Sequence, residues 1–369
     1  MQSLKSSALE PTRSELAALS RRQAFLRILP IYGLPILTLI LAVTFSILLP
    51  DSFPTAINVR SILSDKGIIA LLSLGAMLPM MAGRIDLTIG FGIVMWHILA
   101  ISLQVWYHFP WPLAVLVVIL CGGFAGLING FLVEVAQIDA FIATLGTGTI
   151  LYALALWHTD GRQVMGHLSS GFIDLNATSI FDVPMPAIYV LILATALWLI
   201  TERLPMGRHV YAIGANEKAA ALNGIPVKAY VIGVFVASGL VAGFTGCILA
   251  SKLQIGQANV GLDYLLPALV GAFLGSTTIK PGRVNVWGTI CGVLILAVGI
   301  SGIQQLGGAF FVEPMFNGAT LVIAIALAGF AQRRRSVAIQ SVAPGGASHA
   351  PAAGVGANAS DQPSKSAAG

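Results

Sequence analysis

The sequence predicts an all-α integral membrane protein of about ten transmembrane helices, and three observations carry that prediction. Charged residues make up 9% of the chain and hydrophobic residues 56%, whereas soluble domains carry about 25% charge. Long stretches hold no charge at all, and a hydrocarbon core of about 30 Å needs about 20 apolar residues of helix. Threading those stretches as ten spans then sorts the cations, with most of the 20 Lys and Arg on one side. Such an excess marks the cytoplasmic face.

The elements follow in order. Residues 1–27 carry Lys5, Arg13, Arg21, Arg22 and Arg27 and read as a cytoplasmic tail. The first span covers Ile28 to Pro50, and its apolar stretch is too long for the core of a cleavable signal peptide. Gly67 to Gly83 is a weaker second span. Leu87 to Val133 is long enough to cross twice, and Trp106, Tyr107, Phe109 and Trp111 between the two crossings fit an outer aromatic belt. Ala140 to Thr159, Val183 to Thr201 and Ala229 to Ser251 are spans five to seven. Tyr264 to Thr278, just after Asp263, is a weaker eighth. Val284 to Val312 and Pro314 to Gln332 complete the membrane domain, residues 28–332. Residues 333–369 are rich in Ala, Gly, Ser and Pro, cannot bury apolar area, and read as a disordered cytoplasmic tail.

With this threading the inner segments also hold Arg84, Arg203, Arg208, Lys218, Lys228, Lys280, Arg283, Arg333, Arg334, Arg335 and Lys365. The outer ones hold only Arg60, Lys66, Arg162 and Lys252. Both termini are therefore expected in the cytoplasm. The basic isoelectric point of about 9.2 is a consequence of topology and does not indicate a nucleic-acid partner. Cys121, Cys247 and Cys291 lack metal-ligand spacing and read as small core residues, and no metal site is expected.

Glycine placement bears on packing. Gly122, Gly126 and Gly130 recur every fourth residue, as do Gly239 and Gly243. Such stripes let helix backbones approach closely, within the chain or across a dimer contact. A short internal echo also exists: Leu145-Gly-Thr-Gly-Thr-Ile150 resembles Leu274-Gly-Ser-Thr-Thr-Ile279. Transporters often carry internal repeats, although six small or polar residues can match by chance.

The loop of residues 202–228 is the most structured polar stretch. Asn216 suits an N-cap, Glu217 suits the positive start of a helix, and Ala219, Ala220 and Ala221 are strong helix formers. Asn223 or Gly224 suits a left-handed exit, and Pro226 forbids continuation. A helix of about two turns is too short to stand alone in water. It reads either as a plain connector or as a docking helix for another protein.

This stretch resembles the cytoplasmic coupling segment of the ribose/xylose-type sugar permeases of bacterial ABC importers. The family pattern is roughly Ala-Ile-Gly-Gly-Asn, two residues, Ala-Ala, then Ser-Gly-Ile; here it reads from Ala212 through Gly214, Asn216, Glu217, Lys218, Ala219, Ala220 and Ala221 to Gly224 and Ile225. Gly83-Arg-Ile-Asp-Leu-Thr-Ile-Gly90 resembles the family's Gly-Gly-Ile-Asp-Leu-Ser-Val-Gly, Ala125 to Gly130 its Gly-x-x-Asn-Gly, and Phe141 to Thr147 matches directly. The chain departs from the pattern at Arg84, Ala140, Ala215 and Asn223. It departs again at Thr278-Ile-Lys-Pro-Gly-Arg283, where Gly-Gly-x-Gly is usual. The resemblance covers about residues 30 to 332. It implies a type II ABC importer permease-like fold and a bacterial inner-membrane location. It also implies a second permease chain, homodimeric or heterodimeric, two cytoplasmic ATPase chains and a periplasmic solute-binding protein. ATP and Mg would sit on the ATPase, and this chain would bind no cofactor. Consistently, no Gly-x-x-x-x-Gly-Lys-Ser/Thr phosphate loop occurs here. No covalent chemistry is expected of the chain.

Polar residues at membrane depth are the remaining candidates for a pathway or interface. Asp86, between spans, reads as a helix-end charge or as a fixed charge beside the pathway. Asn129 cannot stay unpaired in hydrocarbon and reads first as an interhelical hydrogen bond. Thr144 and Thr147 belong to the matching fifth-span motif. Asp263 reads as a helix-start carboxylate or a substrate contact, and Gln304, Gln305 and Asn317 as donors on an outer funnel. An ion-coupled secondary transporter or channel is the alternative function. It would be expected to show paired acids within the membrane, and Asp86 and Asp263 both sit at span ends.

Overall fold

The structure is a computed structural model, described here for residues 32–309, 311–323 and 325–326. The two tails expected from the sequence lie outside the described residues. Everything described belongs to one compact unit.

Among the described residues nine apolar helices follow the threaded order, and a further helix comes after them. Seven are long and apolar enough to cross a membrane: α2 (Ala56–Met81), α3 (Thr88–Val105), α4 (Trp111–Glu134), α5 (Ala140–Thr159), α7 (Met185–Trp198, continued by a π turn to Arg203), α10 (Val227–Leu253) and α12 (Val286–Gln305). Two more, α1 (Tyr32–Leu48) and the segment Leu262–Leu274 containing α11 (Leu265–Leu274), are apolar but shorter. A last helix, α13, begins at residue 312 and is described to 323. Between these lie α6 (Ser170–Ala177), a two-residue hairpin of β1 (Ser179–Ile180) and β2 (Val183–Pro184), and two short helices, α8 (Pro205–Ala215) and α9 (Glu217–Leu222).

Two spans differ from the sequence expectation. The second is not the weak stretch from Gly67; α2 begins at Ala56 and runs about 39 Å at 1.5 Å per residue. Its first turns carry Arg60, Asp65 and Lys66, which the apolar count placed outside the span, and each is paired. Arg60 meets Asp182 at 2.7 Å, Asp65 meets Lys252 at 2.6 Å, and Lys66 meets Glu313 at 2.9 Å. The eighth is shorter than expected: turns replace helix from Gly275 onward. The internal echo fails for the same reason. Leu145–Ile150 lies within α5, whereas the segment after Leu274 is turns, so the two have no shared geometry.

The glycine stripes pack helix on helix within the chain. A Cβ on Gly126 would lie 2.2 Å from the Phe235 carbonyl oxygen, and one on Gly122 2.3 Å from that of Gly239. Gly239 meets Gly122 reciprocally. Backbones therefore touch along α4 and α10, where side chains would hold them apart. Trp96 and His97 of α3 are buried against Gly246 of α10. The outward faces of α4 and α5 are apolar and exposed, with Phe124, Phe131, Ile142 and Trp157 among them.

The ion pairs sort by end. Those of Arg60, Asp65 and Lys66 join segments that the threading assigns to the outer side. Those of Arg84, Glu202, Lys280 and Arg283 join segments assigned to the inner side.

Candidate functional site: two short helices on a polar seam

The site is built at the end of the bundle where α8 and α9 lie. α8 starts with Pro205 at its first turn, where the missing N–H costs nothing. It seats Gly207, Val210 and Ile213 against the membrane helices. His209 Nδ1 lies 2.7 Å from the Tyr230 hydroxyl, and Tyr211 donates its hydroxyl to the Val284 carbonyl at 2.8 Å. Burial pushes the Tyr211 phenol above its ordinary pKa, so it remains a donor. The sequence reading missed α8. Its signals were Pro205 at the start and the apolar pair Val210 and Ile213 three residues apart.

α9 occupies the predicted residues. The Asn216 side chain accepts from the Ala219 N–H at 3.0 Å, which caps the helix, and Gly224 makes the left-handed exit at φ +80°. Gly214, in the last turn of α8, has no room for a side chain: a Cβ would lie 2.1 Å from the Met81 carbonyl oxygen. The end of α8 thus rests on the end of α2. Ala220 is only 4% exposed and seats α9 on its own chain. Lys218, Ala219, Ala221 and Leu222 face outward, and Leu222 is 89% exposed.

Two ionic clusters tie this segment down. In the first, Arg84 Nη2 lies 2.8 Å from Glu217 and 3.1 Å from Glu134 at the end of α4. Burial would lower the Arg84 pKa, but hydrogen bonds and attraction from Glu217 and Glu134 outweigh it and hold the pKa above its ordinary value. Glu134 is 2% exposed, so removing Arg84 would leave a buried carboxylate unpaired, a loss of about 3–5 kcal/mol. In the second, Glu202 on the π turn accepts from Lys280 and, at 3.2 Å, from Arg283. The Arg283 guanidinium lies 3.7 Å from the centre of the Tyr211 ring. Neither cluster was read from the sequence, because the partners are distant along the chain and pairing across loops leaves no periodic signal.

Beneath the first cluster runs a buried polar seam that brings together four of the eight pathway candidates. Asp86 is 1% exposed; it accepts from the Thr88 N–H at 3.0 Å, from the Thr88 hydroxyl, and from the Ser238 hydroxyl of α10 at 2.8 Å. Asn129 of α4 donates to Thr88 Oγ1 at 3.0 Å and accepts from Thr147 Oγ1 of α5 at 2.6 Å. The Thr144 hydroxyl accepts from the Leu87 N–H at 3.1 Å and donates to the Ala140 carbonyl at 2.7 Å. One hydrogen-bonded chain therefore links α10, α3, α4 and α5 through the short loop 82–87. Buried polar atoms are satisfied this way because hydrocarbon offers them no other partner.

The remaining four candidates lie elsewhere. Asp263 is exposed in the turn before α11 and makes no capping bond. Gln304 donates to Glu313 at 3.1 Å, and Gln305 to Asn58 at 2.8 Å. These line a polar cavity of about 450 Å³ at the opposite end of the bundle, with Ser61, Asp65 and Lys66. Asn317 is buried on α13, and among the described residues its Oδ1 has no hydrogen-bond partner. Among the described residues no group of three or more His, Cys, Asp or Glu is placed to hold a metal ion.

Comparison with known proteins agrees with this architecture. The family described as branched-chain amino acid transport system / permease component matches residues 58–328. The ribose import permease protein of Bacillus subtilis is 33% identical over 299 residues, 81% of this chain and 91% of that protein. The D-allose transport system permease protein of Escherichia coli is 29% identical over 296 residues, 80% of this chain and 90% of the relative. The autoinducer 2 import system permease protein of Salmonella typhimurium is 27% identical over 269 residues, 71% and 80% respectively. No solved structure matches.

Proposed function

The chain belongs to the branched-chain amino acid transport system / permease component family, and from that premise we propose that it is the membrane subunit of an ATP-driven importer for a sugar or related polyhydroxylated solute. It is a membrane transport component and not an enzyme. The solute class rests on the relatives, whose names specify ribose and D-allose, together with the similar permease for autoinducer 2. Residues 214–224 serve as the coupling segment, with the outward face of α9 received by a cytoplasmic ATPase. A periplasmic binding protein delivers solute to the opposite end, and a second permease chain completes the pathway in the inner membrane.

One observation supports this reading above the others. α9 is a capped six-residue helix that seats one face through Ala220 and leaves Leu222 almost wholly exposed. So short a helix gains little from its own hydrogen bonds. An exposed leucine at a rigidly held helix end suits a partner's apolar groove. The basic end of the bundle, with the coupling segment, faces the cytoplasm by the distribution of Lys and Arg.

Reconstitution tests the proposal. Vesicles holding the permease with its ATPase and binding protein should take up a pentose or hexose only when ATP is present. Vesicles holding the permease alone should take up none, with or without a proton or sodium gradient. Uptake by the permease alone, driven by an ion gradient, would replace this reading with a secondary transporter. ATP-dependent uptake of an amino acid in place of a sugar would keep the mechanism and reject the solute class.

A further inference from the structure

Two of the chain's departures from the sugar-permease pattern lie in other loops and hold the coupling segment from outside. Arg84 stands where that pattern has a glycine, and Lys280 and Arg283 stand in a segment usually rich in glycine. Glycine has no side chain, so the Arg84 contacts cannot form in a chain that has glycine at that position. Here Arg84 reaches Glu217, the first residue of α9, while holding the buried Glu134 at the end of α4. Lys280 and Arg283 hold Glu202, ahead of α8. The segment is pinned at both ends, with the close contact of Gly214 on Met81 between them.

The position of Arg84 in the chain matters as much as its contacts. Two residues later Asp86 accepts from Ser238 of α10 and from Thr88, which Asn129 then joins to Thr147. The loop 82–87 thus carries α9 on one side and the seam through α3, α4, α5 and α10 on the other. Beside the loop lies a cavity of about 400 Å³ lined by Gly83, Arg84, Ile85, Gln137 and Asp139. The loop is therefore not packed on that side and has space to shift.

We propose that Arg84 is a positioning residue that couples α9 to the membrane helices: its shared hydrogen bonds to Glu217 and Glu134 make the docking helix and the loop 82–87 move together. The proposal rests on α9 being the docking helix. A push on α9 then reaches Asp86 and the seam through a charged pair, where a glycine would leave only the backbone contact at Gly214. Glu217 is half exposed, so its substitution breaks the link without leaving a buried charge, whereas Arg84→Gln alone strands Glu134. The informative variants are therefore Glu217→Gln, the pair Arg84→Gln with Glu134→Gln, and all three together.

The experiment measures solute imported per ATP hydrolysed in the complete reconstituted transporter, with Leu222→Asp as the control on α9 docking. Glu217→Gln should lower that ratio about fivefold or more, the lower end of coupling free energies between sites. The Arg84→Gln/Glu134→Gln pair should lower it similarly, and the triple variant should be no worse than the pair. Arg84→Lys should restore most of the ratio. An unchanged ratio in Glu217→Gln would overturn the proposal. So would a full additional loss from Glu217→Gln in the Arg84→Gln/Glu134→Gln background, because Glu217 would then act on the partner directly. If Leu222→Asp assembles and transports normally, the docking role of α9 fails first and the proposal falls with it.

Discussion

At the scale of single residues, the same rule acts twice: in hydrocarbon a group must fit or be satisfied, because no water rescues it. Gly126 fits only because it lacks a side chain, with the Phe235 carbonyl 2.2 Å from where a Cβ would stand. Gly126→Ala should force α4 and α10 apart and cost about 1–3 kcal/mol, as overpacking does elsewhere. A lowered thermal unfolding midpoint in detergent would register this, and an unchanged midpoint would mean the two helices do not touch. Asn129 is satisfied by Thr88 and Thr147. Asn129→Leu should cost less, about 1 kcal/mol or below, because hydrogen bonds between membrane helices average about 0.6 kcal/mol. The midpoint of Asn129→Leu should therefore lie between those of the parent and Gly126→Ala.

At the scale of elements, α9 shows how a helix too short to fold alone is held. Its cap, its glycine exit and Ala220 stabilise it from within, and Arg84 holds its first residue from outside. The two faces then have different uses. Ala220 touches its own chain, so a charge there would unseat the helix before reporting on any partner. Leu222 touches nothing of the kind. Leu222→Asp should leave insertion and thermal stability of the permease unchanged while reducing ATPase capture, measured by co-purification. Full capture by Leu222→Asp would mean that the partner docks elsewhere. α2 is the contrasting element. It tolerates three charges in its first turns because Asp182, Lys252 and Glu313 neutralise them, and its other end stops against Gly214.

At the scale of the whole molecule, the charges divide the structure into two ends that exchange no ion pairs among the described residues. A reporter active only in the cytoplasm should therefore give signal when fused after Lys218 and none when fused near Gly166. Signal at Gly166 would break the ten-span threading, since the segment holding Gly166 lies at the same end as the Val164–Gly256 bridge and the charged start of α2. The proposed direction rests on the excess of Lys and Arg on the α8–α9 end, because cationic loops are retained on the cytoplasmic side.

The sequence by itself determined what is local or periodic. Charge-free stretches located the helices because one span needs about 20 apolar residues. Asn216, Glu217 and Gly224 located both ends of α9, because caps depend on neighbours along the chain. The glycine stripes announced close packing without naming the partner helix. Only the tertiary structure decided the rest. Arg84 is 50 residues from Glu134 and 133 from Glu217, and Ser238 is 152 from Asp86. No periodicity records such pairings, since they depend on which loops the folded bundle brings to one end. The true start of α2 was hidden for a related reason. Its charges looked like a loop until Asp182, Lys252 and Glu313 arrived from elsewhere to neutralise them, and a charge is tolerable at a membrane boundary when a partner shares its field.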